Sequence, residues 1–197
     1  SKKFAKFLQK NCDDVQKSIS DLADYLHMTN KIEQIHIPFS ECHQASLKVH
    51  EGYPVGYVTT NQFLQSIIKP LLYTFKIQHL DSFYEILNLH KLMSSYVMMR
   101  GTPGSLRDYK HHSPSAHEYV SHDNIKSELE NFCQNKSEDK FLRHALFEHI
   151  HPFPDANGRI GRIILCKDLD YNFAKCNEIM NKNYIRNLNL YFEDLFE

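Results

Sequence analysis

Apolar residues recur at spacings of three and four along most of this chain, and strict alternation of apolar and polar positions is nearly absent. The periodicity predicts helices over 13–28, 41–51, 61–75, 80–99, 123–135, 138–150 and 157–170, with one or two more after residue 172. No internal repeat or low-complexity linker interrupts them, and glycine is scarce, at six residues. The pattern is that of an all-α chain with two breaks. Residues 100–122 (RGTPGSLRDYKHHSPSAHEYVSH) lack a helical period and run longer than an idle connection in a compact domain. The shorter break, His-Pro-Phe-Pro-Asp-Ala-Asn-Gly-Arg-Ile-Gly-Arg over 151–162, joins two predicted helices.

In that shorter break, Pro152 ends the preceding helix, because proline disfavours the α region for the residue before it. Pro152, Pro154 and Asn157-Gly158 make a tight loop. Asn157 or Asp155 is expected to cap the next helix. Ala156 is expected at negative φ, since a non-glycine residue at positive φ costs about 1–2 kcal/mol. Phe153 is expected to point down and anchor the loop in the core.

The loop therefore sits on a helix N-terminus, where unpaired N–H groups and the helix dipole favour anions. Arg159 and Arg162, three apart, share a helix face and suit bidentate phosphate contacts. Asp155 offers a hard oxygen ligand for Mg²⁺. His151 has the side chain suited to general-base work near neutrality. A packed core needs no such collection; a site that handles a polyphosphate beside a metal ion does. Other phosphate and metal patterns fail on spacing. The inverted zinc-protease pattern needs a histidine where Ala145 stands. Gly158 and Gly161 are not followed by the lysine of a P-loop. The histidines at 111, 112, 117 and 122 have no repeating carboxylate or cysteine ligand.

Charge narrows the partners. With 23 Lys and Arg against 24 Asp and Glu, the net charge of -1 makes no electrostatic case for nucleic acid. Five scattered cysteines with no C-x-x-C pair fit reduced thiols. No stretch approaches the length of a membrane span, so the chain is read as cytoplasmic with no membrane partner. At 197 residues it is large enough for a real core.

The 151–162 segment resembles the signature of the Fic (cell filamentation) family, His-x-Phe-x-(Asp/Glu)-(Gly/Ala)-Asn-(Gly/Lys)-Arg-x-x-Arg, with every fixed position filled. The resemblance implies a mainly helical Fic fold with a small β-hairpin flap, a helical N-terminal region (1–75) and a core (76–197) forming one compact unit. It implies transfer of AMP from ATP to a Tyr, Thr or Ser hydroxyl of a target protein. His151 would be the base, Asp155 the Mg²⁺ ligand, and Asn157, Gly158, Arg159 and Arg162 the phosphate site. The 100–122 loop resembles the family's flap, with Thr102, Pro103, Gly104 and Leu106 docking an extended target segment by strand addition.

Upstream, Thr29 to Gln34 (TNKIEQ) resembles the family's inhibitory motif, (Ser/Thr)-x-x-x-Glu-(Gly/Asn), departing from it at Gln34. The resemblance implies that Glu33 pairs with Arg162 and blocks the γ-phosphate position. The C-terminal form of that motif is excluded, because no Ser or Thr follows Ser137. Ala156 stands where most of the family has Gly, as in a branch that transfers phosphocholine. A different phosphate-linked donor and a non-catalytic Fic-fold binding module stay open as alternatives, as does a homo-oligomer.

Overall fold

The computed structural model describes residues 1–97, 99–114 and 117–196. Residue 98, at the end of the helix expected over 80–99, and residues 115–116, in the expected flap loop, lie outside it. The described residues are all-α. In chain order the helices are α1 (Lys2–Lys10), α2 (Val15–Ile32), α3 (Phe39–His50), α4 (Val55–Val58), α5 (Gln62–Lys76) and α6 (Phe83–Ser94). A 3₁₀ turn (His122–Asn124) then leads into α7 (Ile125–Gln134), α8 (Lys140–Ile150), α9 (Asn157–Asp168), α10 (Phe173–Ile179) and α11 (Tyr184–Phe196). The expected flap is reduced, among the described residues, to one antiparallel bridge between His112 and Glu118.

Polar side chains set five of the helix starts. Asp14, Asn61, Ser82, Asp139 and Asn172 each accept a bond from a first-turn N–H of the helix that follows. The helix expected over 80–99 stops at Ser94, where Ser94 and Ser95 bond back to the Lys91 and Leu92 carbonyls. Such local side-chain bonds compete with continuation of the helix. Two helices escaped the periodicity. In α1, buried Phe4 and Leu8 sit among four lysines, and the helix docks through a ring cluster of Phe4, Phe7, Phe75 and Tyr171. The four residues of α4 are too few to show a period.

The centre of the molecule is α9. Nine of its residues are buried, Arg159 and Arg162 among them, and α2, α5, α6, α8 and α10 all pack against it. Fully buried Phe147 on α8 and Ile160 and Ile163 on α9 belong to the main core, so truncating Phe147 would cost about 3–5 kcal/mol. A buried ion pair, Arg143 to Asp168 at 2.7 Å, locks the start of α8 to the end of α9. Lys167 bonds the Thr74 and Ile77 carbonyls at the end of α5. A second, smaller cluster (Ala145, Tyr184, Leu188, Phe192) holds α11 against α8. The N-terminus of α9 is thereby fixed between α2, α8 and α11.

Candidate active site

The 151–162 loop is held by its own side chains. The Asn157 amide spans it, donating to the Phe153 carbonyl at 2.7 Å and accepting from the Phe153 N–H at 2.8 Å. Phe153 is fully buried, as expected, and stacks on His90 with centroids 4.1 Å apart. The Ala156 N–H donates to Asp155 Oδ1 at 2.8 Å. Two expectations are corrected. The residue that caps α9 is Ala156, not Asp155 or Asn157, and no side chain caps that end. Ala156 adopts φ 69°, in the left-handed region, not the negative φ expected of it. The Asn157 staple and the Asp155 bond over-determine the loop and impose the conformation that alanine resists. Ala156→Gly is therefore expected to stabilise the fold by about 1 kcal/mol, read as a rise in Tm; an unchanged or lower Tm would show that the left-handed backbone carries no strain.

Past this loop, the N-terminus of α9 opens onto a cleft of about 370 Å³. Its chemistry comes from Glu33, Tyr119, Glu148, His151, Gly158 and Arg162. Arg162, 1% exposed, donates from Nε to Thr29 Oγ1 at 2.9 Å and from Nη2 to the Thr29 carbonyl at 3.2 Å. The same Nη2 meets Glu33 Oε1 at 2.6 Å. A β-carbon on Gly158 would stand 2.8 Å from the Arg162 guanidinium and 2.9 Å from Glu33 Oε1. The Glu33 carboxylate thus lies on the first turn of α9, where the helix attracts anions, and on the arginine expected to bind phosphate. Local backbone aims it there. Glu33 caps the C-terminus of α2, and Gln34 follows at φ 61°. Gln34 N–H bonds the Lys31 carbonyl and Ile35 N–H bonds the Asn30 carbonyl, which is a Schellman motif. The position where the family pattern has Gly or Asn is the left-handed one, and Gln34 occupies it.

Beneath Arg162 lies Tyr184, its ring centroid 5.8 Å from the guanidinium. Buried His144 holds that ring. Its Nδ1 lies 3.2 Å from the Gly161 carbonyl, which can only accept, so Nδ1 carries the proton. Nε2 then accepts from the Tyr184 hydroxyl at 2.7 Å. Burial, with Arg162 nearby, lowers the His144 pKa to about 3, keeping it in this neutral form.

His151 ends α8 in the left-handed region, at φ 46°. Its imidazole stacks on Tyr119 at 3.9 Å and on His111 at 5.0 Å. Both rings come from the loop segment whose backbone pairs at Tyr119 to His111 and Ser113 to His117. Burial first, then the neighbouring His111 and Arg107, push the His151 pKa down to about 3. The antiparallel pairing therefore sits at 111–119 and not at the expected docking residues. Thr102 and Pro103 are exposed, in a turn closed by Ser105 N–H to the Thr102 carbonyl. Gly104 donates to His90 Nδ1 at 2.9 Å, and Leu106 packs on the core.

The motif residues are divided between two sides of α9. His151, Gly158 and Arg162 line the cleft. Asp155 and Arg159 face each other outside it, 3.8 Å apart, with Asp155 Oδ2 also accepting from the Arg100 N–H at 3.3 Å. The Asn157 side chain is spent on the loop, leaving only its backbone for a ligand. Sequence reasoning missed Glu148, Tyr119, Tyr184 and Arg107. Glu148, in the last turn of α8, lies three residues before His151, which leaves the helix in the left-handed region, so it is the fold rather than helical spacing that brings both to one cleft. It is buried, its Oε1 has no partner among the described residues, and a methyl group at Gly161 would collide with that carboxylate. Burial, with Glu33 adding to it against Arg162, raises the Glu148 pKa to about 7.

Residues 80–167 match the model of the Fic/DOC family. A stretch of 22 residues is 77% identical to a probable protein adenylyltransferase of Aquifex aeolicus, covering 11% of this chain and 7% of that protein. The fold matches the crystal structure of a Fic family protein from Desulfovibrio desulfuricans G20 with a TM-score of 0.62 at 16% identity. That match takes in 93% of this chain but only 58% of the other, so this chain spans little more than half of its structural relative. No described helix is long and apolar enough to cross a membrane. The signature at 151–162 falls within the family match over 80–167 and, with a helical architecture around α9 that follows the fold of a Fic family protein, supports a Fic domain in this part of the chain.

Proposed function

We propose that this protein is a protein adenylyltransferase, transferring AMP from ATP to a Tyr, Thr or Ser hydroxyl of a target protein, and that Glu33 restrains it. The observation that carries this reading is the convergence of His151, the Gly158 turn of α9 and Arg162 on one cleft. A half-buried imidazole whose lowered pKa keeps it neutral faces an anion-binding helix end there, with a buried guanidinium beside it. The A. aeolicus relative, described as a probable protein adenylyltransferase, supports the choice of donor.

In this reading the first-turn N–H groups of α9 and Arg162 bind and orient the phosphate chain, with Arg159 supporting it from the Asp155 side. His151 accepts the proton of the attacking hydroxyl at the nitrogen facing the cleft. The hydroxyl oxygen forms its bond to the α-phosphorus as the bond to the bridging oxygen breaks, and pyrophosphate leaves. Positioning and charge stabilisation supply most of the rate. The paired arms at 111–113 and 117–119 present backbone to an extended target segment.

Asp155 suits Mg²⁺. Its side chain is 28% exposed, and among the described residues each oxygen accepts one N–H, with the Arg159 guanidinium 3.8 Å from Oδ1, so lone pairs remain for a hard cation held by one carboxylate and phosphate oxygens. When bound, the ion would neutralise phosphate charge. Arg159→Ala and Arg162→Ala are expected to weaken ATP–Mg²⁺ binding, and Asp155→Ala to remove its Mg²⁺ dependence. Calorimetry showing unchanged binding in all three would overturn the phosphate-site assignment. The reaction itself is tested by mass spectrometry of the protein and of a lysate after incubation with ATP and Mg²⁺. An AMP adduct on a hydroxyl is the expected result. No adduct from ATP, but one from another nucleotide or a phosphocholine carrier, would change the donor.

A further inference from the structure

Arg107 is a buried cation that meets no carboxylate among the described residues. It is 3% exposed, and among the described residues its guanidinium meets only backbone oxygens. Nε donates to the His151 carbonyl at 2.6 Å, Nη1 to the Tyr109 carbonyl at 2.7 Å, and Nη2 to the Val120 carbonyl and to the Ile150 carbonyl at 3.2 Å. Its own N–H bonds the Pro152 carbonyl at 2.9 Å. Two of these acceptors, Ile150 and His151, end α8, where carbonyls lack intrahelical partners and the dipole favours a cation. The other two, Tyr109 and Val120, flank the segment whose His111 and Tyr119 rings stack on His151.

We infer that Arg107 is a positioning residue for His151: one planar guanidinium clamps the end of α8 to both arms of the 109–120 loop. The clamp holds His151 at its left-handed φ of 46° and fixes the rings between which the imidazole stands. Lysine, a point donor on a flexible stem, cannot bond four diverging carbonyls at once. The inference rests on His151 being the catalytic base but concerns what places it.

The charge acts too. Facing the His151 imidazole are His111, His117 and Tyr119 from the loop, Arg107 itself, Glu148 from α8, and Glu33 and Arg162 across the cleft. Burial contributes most to keeping His151 neutral, and His111 and Arg107 follow.

The test uses Arg107→Gln and Arg107→Lys, each alone and combined with Glu33→Gly, with two readouts. One is the NMR titration of His151 in histidine-labelled protein; the other is AMP transfer with labelled ATP, to an added target or to the protein itself. Arg107→Gln is expected to raise the midpoint of the His151 titration by about one pH unit. Transfer should fall about 10²-fold, the cost of misplacing a catalytic group by about 1 Å, with ATP affinity unchanged. Arg107→Lys is expected to keep the low midpoint and give intermediate transfer. A folded Arg107→Gln protein whose titration and transfer both match its parent would reduce Arg107 to a structural residue and overturn the inference. If Arg107→Gln does not fold, Arg107→Lys and the unmodified protein carry the test, and a His151 that titrates near the ordinary ~6.5 overturns it. Absence of AMP transfer from proteins with Arg107 intact would count against the adenylyltransferase reading instead, while the titration still decides the role of Arg107.

Discussion

Replacing His151 by alanine in a Glu33→Gly background is expected to cut AMP transfer by about 10²–10⁴-fold, the usual cost of losing a general base. Nucleotide binding should survive, because on the proposed reading the α9 amides and Arg162 hold the phosphates and His151 has no part in that. The fold should survive as well: the imidazole stacks on loop rings, and the backbone bonds of residues 150–152 to Arg107 need no imidazole. The pH profile is part of the prediction. Burial, with His111 and Arg107, lowers the His151 pKa to about 3, which favours the neutral, proton-accepting form. Loss of activity through protonation of His151 therefore belongs well below pH 6.5, and the parent should stay active through the weakly acidic range where an ordinary histidine would already be charged. Equal turnover in the alanine variant, measured with labelled ATP, would remove His151 from the chemistry.

The helices legible in the sequence were those whose apolar face is repeated and whose ends carry a polar cap. Residues 138–150 and 157–170 were readable because Asp139, Pro152 and the Asn157-Gly158 turn punctuate a strong period. The first helix was not, because its two buried anchors are outvoted by lysines, and its docking depends on Phe75 and Tyr171, far away in sequence. The 151–162 segment was legible as chemistry, yet its geometry was not. Left-handed Ala156 follows from bonds among Phe153, Asp155 and Asn157 that no propensity encodes. The same holds for the loop at 100–122. Its turn residues drew attention to 102–106, while the pairing that reaches His151 lies at 111–119, set by the Arg107 anchor and by stacking rather than by glycine or proline. Glu33 and Arg162 are separated by 129 residues. Nothing local links them, and only the resemblance named them as a pair before the fold brought them to 2.6 Å. Gln34 looked like a departure from the motif; it takes the backbone conformation that the motif's Gly or Asn would favour, so the departure costs strain without breaking the motif.

The largest gain is expected from Glu33→Gly. In the structure the Glu33 carboxylate holds Arg162 and lies against the Gly158 turn, so a phosphate entering that turn must displace it. ATP could still bind while the pair persists, but with its outer phosphate turned away from Arg162 and its α-phosphate out of line for attack. Removing the carboxylate frees both the guanidinium and the helix end. Glycine suits the position sterically, since helix C-caps accept it readily, and the core loses nothing because Glu33 keeps a third of its side chain in solvent. Transfer should rise by about tenfold for each ~1.4 kcal/mol by which the pair favours the restrained state. Glu33→Asp should release the enzyme in part, because the shorter side chain reaches Arg162 poorly. Arg162→Ala must cancel the gain, since the same guanidinium serves the restraint and the phosphate. Steady-state transfer by these variants decides the matter. If Glu33→Gly runs at the parent rate, the ion pair is a structural contact at the end of α2 and control of this protein resides elsewhere. If Glu33→Gly gains activity and the double variant with Arg162→Ala gains as much, the restraint acts through the Gly158 turn alone, with Arg162 holding α2 in place through Thr29.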